Sequence, residues 1–186
     1  MQARTYAVAL LLAALPGALV AQAAAAAPAR ASTSPVADAL RNQEARYARI
    51  LVAAAEAMPA EKYAYAPTPA QMSWQAIQTH LIEGNDFLCG KVAGVTAPQR
   101  TAVDTSAGKD KLVARLKETF AFCDSAFAKV DDSKLGETMS LFGPNPYTRA
   151  AAIMITVGDW ADHYSQESNY LRLNGVLPPT AKRAAP

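Results

Sequence analysis

Apolar residues recur every three or four positions in four segments of the chain, with charged and polar residues between them. This spacing places the apolar side chains on one face of an α-helix and predicts four amphipathic helices. They are helix 1 from Pro35 to Met58, helix 2 from just after Ser73 to Gly94, helix 3 from Lys109 to Val130 and helix 4 from Asn145 to Asn174. The predicted inward stripe of helix 1 contains Val36, Leu40, Tyr47, Ile50, Leu51 and Ala54, and that of helix 2 contains Ile77, Leu81, Gly84, Leu88 and Val92. The stripe of helix 3 contains Leu112, Leu116, Phe120, Cys123 and Phe127. The stripe of helix 4 contains Ala150, Ile153, Met154, Val157, Trp160, Ala161, Tyr164 and Leu171.

Residues with known preferences for helix ends support these limits. Ser73 is a plausible N-cap for helix 2. Asn145-Pro146 has the composition of a helix start, since Asn caps well and the backbone N–H that Pro lacks would be unpaired in the first turn anyway. Gly94 and Gly175 are the expected C-terminal stops of helices 2 and 4.

Four long helices with no good strand candidate predict an all-α fold, a four-helix bundle. The second and the last connecting loops are long, and they favour crossover connections over the short turns of a simple up-and-down bundle.

An apolar run from Ala7 to Val20 follows the basic residue Arg4 near the N-terminus. With the small residues at 21–27, it has the pattern of a secretory signal peptide, and it is short for a membrane span, which needs about 20 apolar residues. An uncleaved N-terminal anchor is the alternative. We expect a signal peptide at 1–27, a linker at 28–35, one domain at 36–178 and a tail at 179–186. The mature protein would be periplasmic or secreted, without a stable membrane span.

The charge balance changes when these terminal segments are left out. The whole chain has 18 basic and 16 acidic residues, but 1–37 and 179–186 contain four of the basic residues and none of the acidic ones. The remaining 14 basic and 16 acidic residues give a formal charge of −2. This argues against nucleic acid as a partner, because nucleic acid binding requires a basic surface.

The two cysteines, Cys89 and Cys123, both lie in the predicted domain. In an oxidising compartment an even number of cysteines favours a disulfide. Two buried free thiols are the alternative, because cysteine packs well as a small apolar residue.

The chain has two histidines, His80 and His163, and each lies in the middle of a long predicted helix. Asp159 precedes His163 by one helical turn and projects from the same side of the helix. Two imidazoles and one carboxylate that meet in the bundle core would form a ligand set for Zn, Fe, Ni or Mn. A helical histidine is more often a packed or solvated residue, and Glu83 and Glu167 compete with Asp159 as the third ligand.

Two segments carry a family resemblance. The first runs from Met72 to Gly94 and includes Ser-Trp-Gln-Ala-Ile-Gln-Thr-His, which ends at His80. The second runs from Asp162 to Pro178 and contains Asp-His-Tyr-Ser-Gln, then Tyr-Leu-Arg, then a terminal glycine. In these segments the chain resembles the DinB-like superfamily of four-helix-bundle proteins, and the resemblance extends over nearly the whole mature chain.

The resemblance implies a divalent metal bound by three histidines, one from the second helix and a His-x-x-x-His pair from the last. In this chain Asp159 stands at the first position of that pair, so the implied ligands are His80, Asp159 and His163. Zn, Ni, Fe and Mn are the implied metals, and the anionic aspartate favours a harder metal than three imidazoles would.

The resemblance also implies a metal-dependent enzyme that acts on a small molecule, either a thiol-dependent transferase or a hydrolase-like enzyme. Glu83 or Asn85 would orient the metal ligands. Export argues against the thiol-dependent version, because the usual thiol cofactors are cytosolic. The alternative is a non-catalytic binding or stress-related bundle without a metal. A second copy of the chain, in a homodimer, is a further candidate partner.

Overall fold

The structure is a computed structural model that describes residues 32–103 and 106–181. The predicted signal peptide, half of the predicted linker and most of the predicted tail lie outside the described residues. The described residues form four long helices, which confirms the all-α bundle: α1 Pro35–Ala57, α2 Trp74–Ala93, α3 Lys109–Phe127 and α4 Arg149–Leu173. Short 3₁₀ turns at Ala60–Lys62, Asp132–Lys134 and Pro179–Ala181 and two short strands, β1 Thr138–Ser140 and β2 Pro146–Thr148, complete the elements.

The predicted ends of α2 are confirmed. The Ser73 side chain accepts a hydrogen bond from the backbone N–H of Ala76 at 3.3 Å, which satisfies a donor that the first turn leaves free. Gly94 ends the helix in the left-handed conformation with φ 68°, a conformation that glycine adopts without steric cost.

The four helices form a ring in which each helix packs against two others. Both α1 and α2 pack against α3 and α4, so α1 lies diagonally opposite α2. The helices α2 and α3 run parallel, since Asn85 bonds to Thr119 and, one turn further along both helices, Cys89 pairs with Cys123. This pair is the predicted disulfide, with the two Cα atoms 5.2 Å apart.

Because α2 and α3 are parallel neighbours, the loop between them must return along the length of the bundle. Arg100 in this loop forms ion pairs with Asp86 of α2 and Glu118 of α3, which hold the returning chain against both helices. This is the crossover that the long second loop predicts.

The centre of the core is aromatic. The Trp160 ring of α4 lies 6.1 Å from Tyr47 of α1 and 5.7 and 6.2 Å from Phe120 and Phe127 of α3. Most of the predicted stripe residues are buried, but Met154 of α4 is exposed, because the buried face passes through Ile153, which lies about 100° away around the helix. Val36, in the first turn of α1, is also exposed.

The predicted start of α4 at Asn145-Pro146 is wrong, as is the absence of strands. Pro146–Thr148 forms β2, which pairs antiparallel with β1, and the helix begins only at Arg149. The loop of this hairpin contains Phe142, which lies against Phe87 of α2 with 5.8 Å between ring centroids. None of the helices in the described part of the chain is long and apolar enough to span a membrane.

Candidate metal centre

Two antiparallel helices, α2 and α4, bring the three predicted metal ligands together. Gln78 of α2 bonds to Glu167 of α4, and Gly84, further along α2, lies opposite Asp159, an earlier residue of α4. His80 lies between these two levels and therefore faces His163 and Asp159.

Asp159 is the centre of the cluster. Its Oδ1 atom lies 3.4 Å from His80 Nε2 and 3.5 Å from His163 Nε2. The two imidazole rings have centroids 4.6 Å apart, and one ligand atom from each of the three residues lies within 4.8 Å of the others. Among the described residues these are the ones that form a group able to hold a metal ion.

The cluster is closed on one side and open on the other. The side chains of His163, Asp159 and His80 are 8%, 22% and 48% exposed, respectively. The site therefore lies at the edge of the bundle, whereas the sequence predicted a site in the bundle core. Its open side, at His80, faces a cavity of about 240 Å³.

The carboxyl group of Asp159 stays ionised in this setting. Burial by itself raises the pKa of Asp159, but the interactions with His163 and then with His80 outweigh burial and hold the pKa below its usual value. The Nδ1 atom of His163 is buried without a hydrogen-bond partner among the described residues, so Asp159 is the polar group that orients this ring.

The three side chains fit a divalent metal by donor type and by the spacing of each imidazole from Asp159. Two imidazole nitrogens and a carboxylate oxygen suit Zn, Fe, Ni and Mn. In a tetrahedral centre with bonds of about 2.1 Å, ligand atoms are about 3.4 Å apart, and the two distances to Asp159 Oδ1 agree with this value.

The other candidate residues have different positions. Glu83 is exposed and lines the cavity beside His80. Asn85 does not orient the ligands as predicted, because its side chain bonds to Thr119 and to Trp160 in the core. Glu167 bonds to Gln78 and is outside the cluster. Asp162 points away from the cluster and bonds to Gln166.

Comparison with known proteins agrees with this architecture. The sequence model of the DinB superfamily matches residues 43–169, which include all three residues of the cluster. The chain belongs to the DinB superfamily. No curated protein matches it in sequence.

Two solved structures of DinB-like proteins have the same fold as this DinB-superfamily member. A DinB-like protein from Bacillus subtilis, YjoA, superposes with a TM-score of 0.62 at 16% identity, covering 78% of this chain and 99% of that protein. A DinB-like protein from Bacillus cereus superposes with a TM-score of 0.64 at 13% identity, covering 76% and 95% of the two chains.

Two features near the cluster were not found from the sequence. One is the hydrogen bond between Gln78 and Glu167, although two polar residues next to apolar stripes were a signal for it. The other is the position of Phe142 beside Phe87. The spacing of apolar residues along the helices could not predict this contact, because Phe142 lies in a hairpin loop.

Proposed function

We propose that this DinB-superfamily protein is an exported, metal-dependent enzyme that acts on a small molecule, with a divalent metal held by His80, Asp159 and His163. The observation that carries the proposal is the convergence of these side chains from two helices, with one side open to a cavity. A non-catalytic bundle without a metal would need neither the convergence nor the opening.

The residues of the site have separate tasks in this proposal. His80 and His163 each offer an Nε2 atom, and Asp159 offers Oδ1 and positions both imidazoles. The metal would supply Lewis-acid chemistry to a substrate in the cavity. Glu83 lines the same cavity with a carboxylate that can accept a proton from a bound molecule.

Of the two activities that the resemblance implies, we favour the hydrolase-like one over thiol transfer. The signal-peptide pattern at 1–27 and the disulfide support an oxidising compartment, where the usual cytosolic thiol cofactors are scarce. N-terminal sequencing of the protein from its native compartment tests the export, with cleavage expected between residues 21 and 27. An intact Met1 there would contradict it.

A matched pair of variants tests the metal site. We expect the purified mature protein to contain about one divalent metal per chain by elemental analysis. Asp159→Asn should lose at least tenfold in metal affinity, because even the loss of a residue that only orients a ligand costs about 10- to 100-fold. His163→Ala should lose the metal altogether.

Asp162→Asn is the control, because it removes the same charge from the same helix at a position that faces away from the cluster. It should bind metal like the unmodified protein. Equal metal affinity in the Asp159→Asn and Asp162→Asn variants would exclude Asp159 as a ligand. Absence of metal from the unmodified protein would favour the non-catalytic bundle.

A further inference from the structure

The cavity beside the cluster has a polar wall and an aromatic wall. His80 and Asp159 line one side, and Phe87 and Phe142 line the other. A larger cleft of about 500 Å³ lies beside Lys91 and Arg149, but it contains none of the three candidate ligands.

The aromatic wall consists of side chains that the core does not use. Phe87 and Phe142 are 38% and 52% exposed, although their rings lie 5.8 Å apart. Tyr147 of β2 supports the Phe142 ring edge-on, with centroids 6.2 Å apart and planes at 82°. The hairpin thus holds an aromatic ring in the wall of the cavity, and exposed apolar surface next to a polar centre is typical of a ligand site.

The floor of the cavity is kept free by a glycine. A Cβ atom on Gly84 would lie 3.7 Å from Asp159 Oδ2, in van der Waals contact with the candidate ligand. Without a side chain there, a bound molecule can reach from the aromatic wall to Asp159. At about 240 Å³, the cavity is below the usual range for drug-sized ligands, about 300–1,000 Å³, and has room for a single ring.

We propose that the substrate carries one aromatic ring, which rests against Phe87 and Phe142, and a polar, metal-binding head that reaches the metal at His80 and Asp159. This inference rests on the proposed function, because the head group needs the metal. The ring gains from leaving water and from stacking on the phenylalanines.

Two hydroxamates that share a metal-binding head test this proposal. Benzohydroxamate carries the aromatic ring, and acetohydroxamate carries a methyl group in its place. Calorimetric titration of the zinc-loaded protein should show benzohydroxamate binding at least about tenfold more tightly. Phe142→Ala should reduce the ratio of the two affinities by about fivefold or more, and the difference in intrinsic chelating strength cancels in this comparison of variants.

Leu173→Ala is the matched control, because it truncates an exposed apolar residue about 21 Å further along α4 than Asp159. It should leave the ratio unchanged. Phe142 is half exposed in a loop, so its truncation leaves the core intact, and zinc content is measured in every variant. Full zinc content with an equal ratio in the unmodified and Phe142→Ala proteins would overturn this inference alone. Failure of the unmodified protein to bind any of Zn, Ni, Fe and Mn would overturn the proposed function as well.

Discussion

Glu167 is a carboxyl group that the fold removes completely from water. Its Oε1 atom accepts a hydrogen bond of 2.5 Å from Nε2 of Gln78, and its Oε2 atom is buried without a partner among the described residues. Burial raises the pKa of Glu167 to about 8, although the hydrogen bond from Gln78 opposes the shift. The side chain is therefore mostly neutral at pH 7, which avoids the cost of a buried charge without an opposite charge.

The raised pKa of Glu167 predicts that stability falls with rising pH. The unfolded group titrates near 4.5, so between pH 4.5 and about 8 the folded chain binds more protons, and stability is lost as the pH rises through this range. We expect Glu167→Gln to raise the free energy of unfolding by about 2–4 kcal/mol at about pH 9 and to change it little at about pH 4, because the amide stays neutral. Urea unfolding at both pH values measures the difference.

Glu61→Gln is the control for this prediction, since it removes the same charge from an exposed position and should give no such gain. Part of the pH dependence should remain in the Glu167→Gln variant. Burial, and then the charge of Asp124, raise the pKa of Glu44 to about 7, so Glu44 also makes the stability of the fold decrease as the pH rises. Equal stability of the unmodified and Glu167→Gln proteins at about pH 9 would show that Glu167 is ionised in the fold without cost.

At the scale of elements, two start signals compete at the N-terminus of α4. Asn145-Pro146 matches the composition of a helix start, but Pro146 begins the strand that pairs with Thr138–Ser140. The backbone N–H of Arg149 then donates to Glu137 at 2.8 Å, which ties the first helical residue to the preceding loop. The Thr148 side chain caps the helix by accepting a hydrogen bond from the N–H of Ala151 at 3.2 Å.

This arrangement predicts different effects for the two possible caps. We expect Thr148→Ala to lower the free energy of unfolding by about 1 kcal/mol, the usual effect of losing a capping side chain. Asn145→Ala, at the position that the sequence pattern favoured, should change it by less than about 0.5 kcal/mol. Thermal or urea unfolding of the two variants decides between the positions, and the reverse order would place the functional cap at Asn145.

At the scale of the whole molecule, the disulfide ties two parallel helices whose connection is a long crossover. Cys89 and Cys123 are 34 residues apart in sequence. Closing a loop of that length lowers the conformational entropy of the unfolded chain and should therefore stabilise the fold by about 3–4 kcal/mol. We expect the double variant Cys89→Ala, Cys123→Ala to lose about this much in urea unfolding.

The metal site supplies an internal check on the disulfide prediction. Cys89 faces α3, whereas His80 faces α4, so the double variant should keep its metal affinity while it loses stability. The unmodified protein with its disulfide reduced should unfold like the double variant. An unchanged unfolding midpoint in both would mean that the bridge contributes nothing to the stability of the bundle.

The sequence by itself determined the features that depend on near neighbours in the chain. The four helices follow from the period of apolar residues, and the ends of α2 follow from the local geometry of Ser73 and Gly94. Asp159 and His163 could be placed on one side of a helix because one turn separates them. His80, the other histidine of the chain, was already their candidate partner in a metal site, and the family resemblance supported this set.

Only the tertiary structure decided which helix faces meet. His80 approaches Asp159 because α2 and α4 pack as antiparallel neighbours, and the same packing buries Glu167 against Gln78. The hairpin sets the start of α4 and the position of Phe142, against the local signal at Asn145. The physical reason is that helix formation and capping depend on interactions between residues close in sequence. The burial of a charge, the pairing of strands and the opening of a cavity depend on residues that are distant in sequence and near in space.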